Sequence, residues 1–178
     1  MALLALAVAS LLASGCGFTA SQASPTPGGG TAPAGGDIPD TQVFLRYQGS
    51  SFSLEYPEGW QQTAASTSVV FQDKDNRVSA TIKGVPAPPL AKVASDLPAG
   101  AHVTSPATET RLPSGTAVKI SFQVQGQPDP VTGKRPTLAE DRYYIPGSGR
   151  HAVLELASPV GVDNVDAYKR IAESFRWG

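Results

Sequence analysis

Apolar and polar positions alternate with period two along much of the chain after residue 42, the mark of strands with one buried face. Val43, Leu45 and Tyr47 alternate with Phe44 and Arg46, and Phe52, Leu54 and Tyr56 alternate with Ser53 and Glu55. Gly49-Ser50 makes the turn between these runs, and Pro57-Glu58-Gly59 ends the second, with Trp60 just beyond. Val69 and Phe71 predict a third strand and Val78, Ala80 and Ile82 a fourth. Between them Asp73-Lys74-Asp75-Asn76 reads as a hairpin turn, because Asp and Asn satisfy local backbone groups. Pro86, Pro88 and Pro89 stop the strand pattern. Leu90, Val93, Ala94 and Leu97 then follow at helical spacing, and Pro98-Ala99-Gly100 closes that short helix.

A second group of strands follows. Residues 101–112 form a Thr-rich run, Pro113-Ser114-Gly115 a turn, and Val118, Ile120, Phe122 and Val124 alternate with Lys119, Ser121, Gln123 and Gln125. Strands near 137–145 and 151–157 are joined by Pro146-Gly147-Ser148-Gly149. At the end, Asp163 is placed to cap a helix and Asp166 puts negative charge in its first turn. Val165, Tyr168, Ile171, Ala172 and Phe175 make its apolar stripe, with Trp177 beyond. The order is four strands, a short helix, four strands, a helix. Short turns imply antiparallel neighbours, so the expected class is α+β: a central antiparallel sheet of about seven to eight strands with helices packed on it.

The front of the chain has another character. Met1 to Leu12 is almost all Ala, Leu and Val, shorter than the roughly 20 residues that span a bilayer as a helix. It fits the apolar region of an export signal. Ala13, Ser14 and Gly15 precede Cys16, the single cysteine. Small residues let the peptide enter a narrow peptidase site, and the thiol is the group that accepts a lipid. This resembles a bacterial lipobox, although Ala13 stands where Leu is usual and the first cationic residue is Arg46. The resemblance implies a diacylglycerol thioether on Cys16. From Gly17 to Asp40 the sequence is rich in Gly, Pro, Ser and Thr and has too little apolar surface to offset its ordering entropy. The expected organisation is a lipoprotein signal peptide over 1–15, a lipidated cysteine and tether over 16–40, and one domain over 41–178.

The phrase Phe52-Ser-Leu-Glu-Tyr-Pro-Glu-Gly-Trp60 resembles the opening of PsbP-like proteins. Ala152-Val-Leu-Glu-Leu-Ala157 and Asp166-Ala-Tyr-Lys-Arg-Ile-Ala-Glu-Ser-Phe175 are similar to that family's last strand and helix. Asp129 to Lys134 and Asp163-Asn164-Val165-Asp166 are similar to segments of small exported lipoproteins of actinobacteria. The resemblance covers residues 43–177. It implies a central antiparallel sheet flanked by helices and an accessory role, with no metal-ligand pattern to carry over.

Charge and chemistry narrow the function from the other side. With 14 Lys+Arg against 15 Asp+Glu the net charge is -1, which argues against a nucleic-acid binder. His102 and His151 have no partner at a metal-binding spacing, and His151 reads as an exposed strand-start residue. Gly147-Ser148-Gly149 joins two strands and lacks the G-x-S-x-G form of a nucleophile elbow. Thr132-Gly133-Lys134 lacks the upstream glycine and following helix of a phosphate loop. Asp163, Asn164 and Asp166 read as helix-opening residues, and Asp73, Asp75 and Asn76 as a turn. Glu140, Asp141 and Arg142 lie on one strand, where neighbours point to opposite faces, and read as a solvated charge pair. Trp60, Tyr143, Tyr144 and Trp177 read as core or core-edge aromatics.

Residues 126–136, Gly-Gln-Pro-Asp-Pro-Val-Thr-Gly-Lys-Arg-Pro, remain. They are long for a hairpin loop and carry Asp129, Thr132, Lys134 and Arg135 among three prolines. The sequence therefore reads as a membrane-anchored, extracytoplasmic, non-catalytic module. It contacts another envelope protein through this loop and needs no cofactor, metal or nucleic acid. Binding of a small ligand or lipid between sheet and helix is the alternative.

Overall fold

The computed structural model describes residues 36–178. The expected signal peptide and lipobox, with Ala13, Ser14, Gly15 and Cys16, lie outside the described residues. The alternating runs become strands: β1 (Phe44–Gln48), β2 (Phe52–Pro57), β3 (Gln61–Ala65), β4 (Ser68–Asp73), β5 (Asn76–Lys83), β6 (His102–Leu112), β7 (Gly115–Gln125), β8 (Thr137–Pro146), β9 (His151–Pro159) and β10 (Arg176–Trp177). A short 3₁₀ helix covers Leu90–Asp96, and the C-terminal helix α1 covers Val165–Ser174.

Seven strands form one sheet in the order β3-β4-β5-β9-β8-β7-β6, and β1-β2-β10 form a second, small one. Every pairing is antiparallel. Hairpins generate β3-β4-β5 and β6-β7-β8-β9, and the pairing of β5 with β9 joins the two groups at the centre. The chain must therefore run from central β5 to the far edge at β6. It does so through the proline-rich stretch and the 3₁₀ helix, which docks Val93 on one face of the sheet.

The other face carries the main core. Val69, Phe71, Val78, Ala80, Leu154 and Leu156 point toward Tyr168, Ile171 and Ala172 of α1. Each Val, Leu, Ile or Phe side chain among them, when fully buried, contributes roughly 1.5–3 kcal/mol. The small sheet caps this core with aromatics: Tyr56 stacks on Phe71 at 4.0 Å and Phe52 on Phe175 at 5.7 Å. At the β8–β9 turn, a Cβ on Gly147 would meet the Trp177 ring at 2.9 Å, so only glycine fits there.

Several details differ from the sequence reading. β3, Gln61 to Ala65, is exposed throughout and offers no apolar alternation to read. In β1 the inward residues are Phe44 and Tyr47, while Val43 and Leu45 are exposed, because this edge strand departs from strict period two. Val165 is 72% exposed and leaves the helix stripe. The helix begins after Asn164, whose side chain makes no cap but reaches back to the Ile38 amide at 2.7 Å and to Ser158 at 2.9 Å. Gly36 and Asp37 also bond to Asn76 and Asp163, so the hydrogen-bonded fold begins inside the segment read as tether. Among the described residues no helix is long and apolar enough to cross a membrane.

Candidate functional site

Strand β8 sends alternate residues to opposite sides of the sheet. Glu140, Arg142 and Tyr144 face the 3₁₀ helix; Asp141, Tyr143 and Ile145 face α1. The solvated charge pair expected from sequence is thus two separate arrangements, and one of them is buried.

On the 3₁₀ side, Glu140 and Arg142 are each only 7% exposed. Arg142 sits opposite Glu155 of β9 in the sheet register, and Ser79 of β5 sits opposite Glu155 in turn. The Arg142 Nη2 lies 2.7 Å from Glu155 and 3.3 Å from Glu140, while Nη1 donates to the Asp96 carbonyl at 3.0 Å. Arg142 Nε is buried and has no hydrogen-bond partner among the described residues. Glu155 also accepts from Ser79 Oγ at 2.7 Å and faces Arg77 at 3.7 Å. Tyr144 donates to Asp96 at 2.9 Å, fixing the 3₁₀ helix to the sheet.

Taking a carboxylate out of water disfavours its charged form. Burial, reinforced by the Glu155 charge, pushes the Glu140 pKa up to about 7 in spite of Arg142 and Arg77. These groups form the floor of a groove of about 550 Å³, walled by Pro98, Val124, Leu138 and the start of the 126–136 loop.

That loop is held by its own bonds. Asp129 Oδ1 accepts from the Val131 amide, the Thr132 amide at 2.7 Å and the Thr132 hydroxyl at 2.8 Å. These bonds hold the Asp129 carboxyl below its usual pKa. The Asp129 amide donates to the Lys134 carbonyl, and Arg135 Nη1 donates to the Gly126 carbonyl at 3.1 Å, closing the loop's base. Gly133, at φ +69°, takes the left-handed conformation the turn requires. So Asp129, Thr132 and Arg135 shape the loop, and its most outward apolar group is Val131, 90% exposed.

On the α1 side, Lys119 pairs with Asp141 at 2.7 Å, and Ser121 donates to the same carboxylate. Burial works against the Lys119 ammonium, but the hydrogen bond and charge of Asp141 outweigh it and hold its pKa above the ordinary value. Nearby, Tyr168 Oη donates to the Ala157 carbonyl at 2.6 Å and accepts from Ser158. Burial pushes its pKa up to about 12. These residues line a cavity of about 350 Å³ between β7, β8, β9 and the first turns of α1, with Leu156, Val162 and Val165 as its apolar walls.

His151 is buried at 5% exposure rather than exposed, with its Nδ1 2.7 Å from the Val85 carbonyl. His102 is exposed on edge strand β6. Ser148 sits in the turn closed by Gly147 N–H to the Arg150 carbonyl. Sequence reasoning missed Arg77, Ser79 and Glu155. The available signal was Glu155 itself: a charge inside the apolar run from Ala152 to Ala157 must find a buried partner.

No protein-family model matches the chain, and none of the curated proteins does. Solved structures are similar to it. Cyanobacterial PsbP (CyanoP) from Synechocystis sp. PCC 6803, a solution structure, is 17% identical over 80% of this chain and 98% of its own, with TM-score 0.54. A protein of Bacteroides thetaiotaomicron is 12% identical over 71% of this chain and 45% of its own, at TM-score 0.48. LpqN, involved in cell envelope biogenesis of Mycobacterium tuberculosis, is 18% identical over 78% of this chain and 92% of its own, at TM-score 0.40. The likeness to CyanoP, together with the sheet order and the helix packed on it, gives this chain a PsbP-like fold.

Proposed function

We propose that the chain is a lipid-anchored extracytoplasmic lipoprotein whose PsbP-like domain is a non-catalytic docking module for another envelope component. The observation that supports this reading is the 126–136 loop. It is a preformed projection in which Asp129, Thr132 and Arg135 are spent on its own turn, presenting Val131 to solvent beside a groove. A preordered loop loses little entropy on binding, which favours affinity for a partner. The export signal, Cys16 and the tether read from the sequence would place that surface outside the membrane.

The test is crosslinking on intact cells followed by mass spectrometry, comparing the natural chain with one whose residues 127–135 are replaced by a short Gly-Ser turn. One dominant partner, lost in the variant, supports docking; an unchanged set of crosslinks rejects the loop as the contact.

A second reading rests on the cavity between sheet and α1. Its volume of about 350 Å³ lies at the small end of ligand sites, and it combines apolar walls with the Lys119–Asp141 pair. That suits a small amphiphile with a polar end. Replacing Leu156 by Trp would fill the space. A ligand that copurifies with the natural chain and is missing from L156W supports this reading, and identical extracts from the two chains reject it.

A further inference from the structure

The groove floor is short of positive charge. Asp75, Glu140 and Glu155 face it against Arg77 and Arg142, three carboxylates to two guanidiniums among the described residues. The guanidiniums are also unevenly used. Arg142 lies closer to Glu155, at 2.7 Å, than to Glu140, at 3.3 Å. Arg77 stands 3.7 Å from Glu155 as well, and Ser79 donates to that same carboxylate. Glu155 takes close contacts from Arg142 and Ser79 and a longer ion pair from Arg77, while the deeper Glu140 keeps a share of Arg142 alone. Above it the groove offers the apolar flanks of Val124, Leu138 and Pro98 and a rim of Gln72, Gln125 and Gln127. Apolar walls leading to a buried carboxylate suit a side chain with a methylene stem and a cationic head.

We infer that this groove receives a lysine or arginine side chain of the docking partner, with Glu140 as its counter-charge. The inference rests on the docking reading and deepens it. Among the described residues, the groups facing Glu140 are Arg142 on its own strand, Glu155 on β9, Arg77 on β5 and Asp75 at the β4–β5 turn. Asp96 and Tyr144 hold the 3₁₀ side. Only ionised Glu140 can serve. The ionised fraction of a group with a pKa of about 7 rises about tenfold between pH 6 and pH 8, and binding rises with it.

The probes are N-acetyl-lysine methylamide and N-acetyl-arginine methylamide, titrated into the full chain while the backbone amides of the groove residues Gln125, Leu138 and Glu155, present in natural chain and variant alike, are followed by nitrogen-15 NMR. The neutral Nε-acetylated lysine probe is run alongside. The expected result is a saturable shift for the cationic probes, about tenfold tighter at pH 8 than at pH 6. It should be absent for the neutral probe and for Glu140→Gln. Glu140→Gln keeps the side chain's shape, and the natural chain at low pH neutralises the same group without mutation. Binding of the neutral probe with equal strength, or binding that survives E140Q, overturns the inference. If crosslinking finds a partner whose affinity E140Q leaves unchanged, docking stands and the cation site falls. If the probes bind through Glu140 but no partner is found, the reverse holds.

Discussion

Substituting Glu140 by Gln makes the protein more stable at pH 8 and leaves it nearly unchanged at pH 4. Glu140 is buried, and its pKa is pushed from the ordinary 4.5 up to about 7 by burial and by Glu155. A carboxyl whose folded-state pKa is raised holds its proton more tightly in the native state. Its contribution is fully present below pH 4.5 and is lost as pH rises through about 7. At about 1.4 kcal/mol per pH unit, the interval from 4.5 to about 7 is worth about 3 kcal/mol. Gln has no proton to lose, so the E140Q chain lacks this slope. Denaturant unfolding at pH 4, 5, 6, 7 and 8 measures it, taken as E140Q minus natural chain so that the other titrating groups largely cancel. The difference grows from near zero at pH 4, through about 1 kcal/mol at pH 5, to about 3 kcal/mol in favour of E140Q at pH 8. An E140Q chain that is the less stable of the two at pH 8 would refute the reasoning. The bond from Arg142 would then outweigh the burial of the charge.

Other perturbations test other layers. Tyr168→Phe removes the hydroxyl that bonds Ala157 and Ser158 and costs about 1–2 kcal/mol in denaturant unfolding, because buried partners are left unmet. Gly147→Ala drives a methyl into the Trp177 ring, breaks its bond to the Pro146 carbonyl and costs about 1–3 kcal/mol; its tryptophan emission shifts to the red. Asp129→Ala speeds amide hydrogen exchange at Val131 and Thr132 while global unfolding is unchanged, since those bonds lie wholly within the loop. Cys16→Ser moves the chain from the membrane fraction to the soluble fraction of its native host if the cysteine is the anchor.

The sheet was legible where one face is dry. β2, β4, β5 and β7 each carry apolar residues at every second position, and the turns between them carry Gly, Pro, Asp or Asn. β3 was not legible, since Gln61-Gln62-Thr63-Ala64-Ala65 is held by backbone pairing to β4 alone and has no buried face to reveal it. The two short polar junctions that hold residues 36–38 were also hidden. They depend on Asn76 and Asn164, far apart in sequence, and Asn164 was read only as part of a helix start. The groove was half visible. Glu140 and Arg142 share strand parity and so one face, but their burial comes from Glu155 and Asp96, which only the register of β8 with β9 and the docking of the 3₁₀ helix supply.

The charges on that face are not what holds the sheet together. A buried ion pair commonly does no better than apolar side chains of the same size, while losing one partner is costly. The α1 face already supplies a core of Phe71, Val78, Leu154, Leu156 and Ile171. The 3₁₀ face could have continued in the same style, since Ile120, Phe122, Val153 and Val93 are buried there. Instead Glu140, Arg142 and Glu155 occupy adjoining places on its central strands, and the 3₁₀ helix that covers part of that side buries one residue, Val93. The groove stays open beside the 126–136 loop, and its lining carries three carboxylates to two guanidiniums. Stability alone favours neither choice, whereas the cationic side chain proposed to dock there would use both.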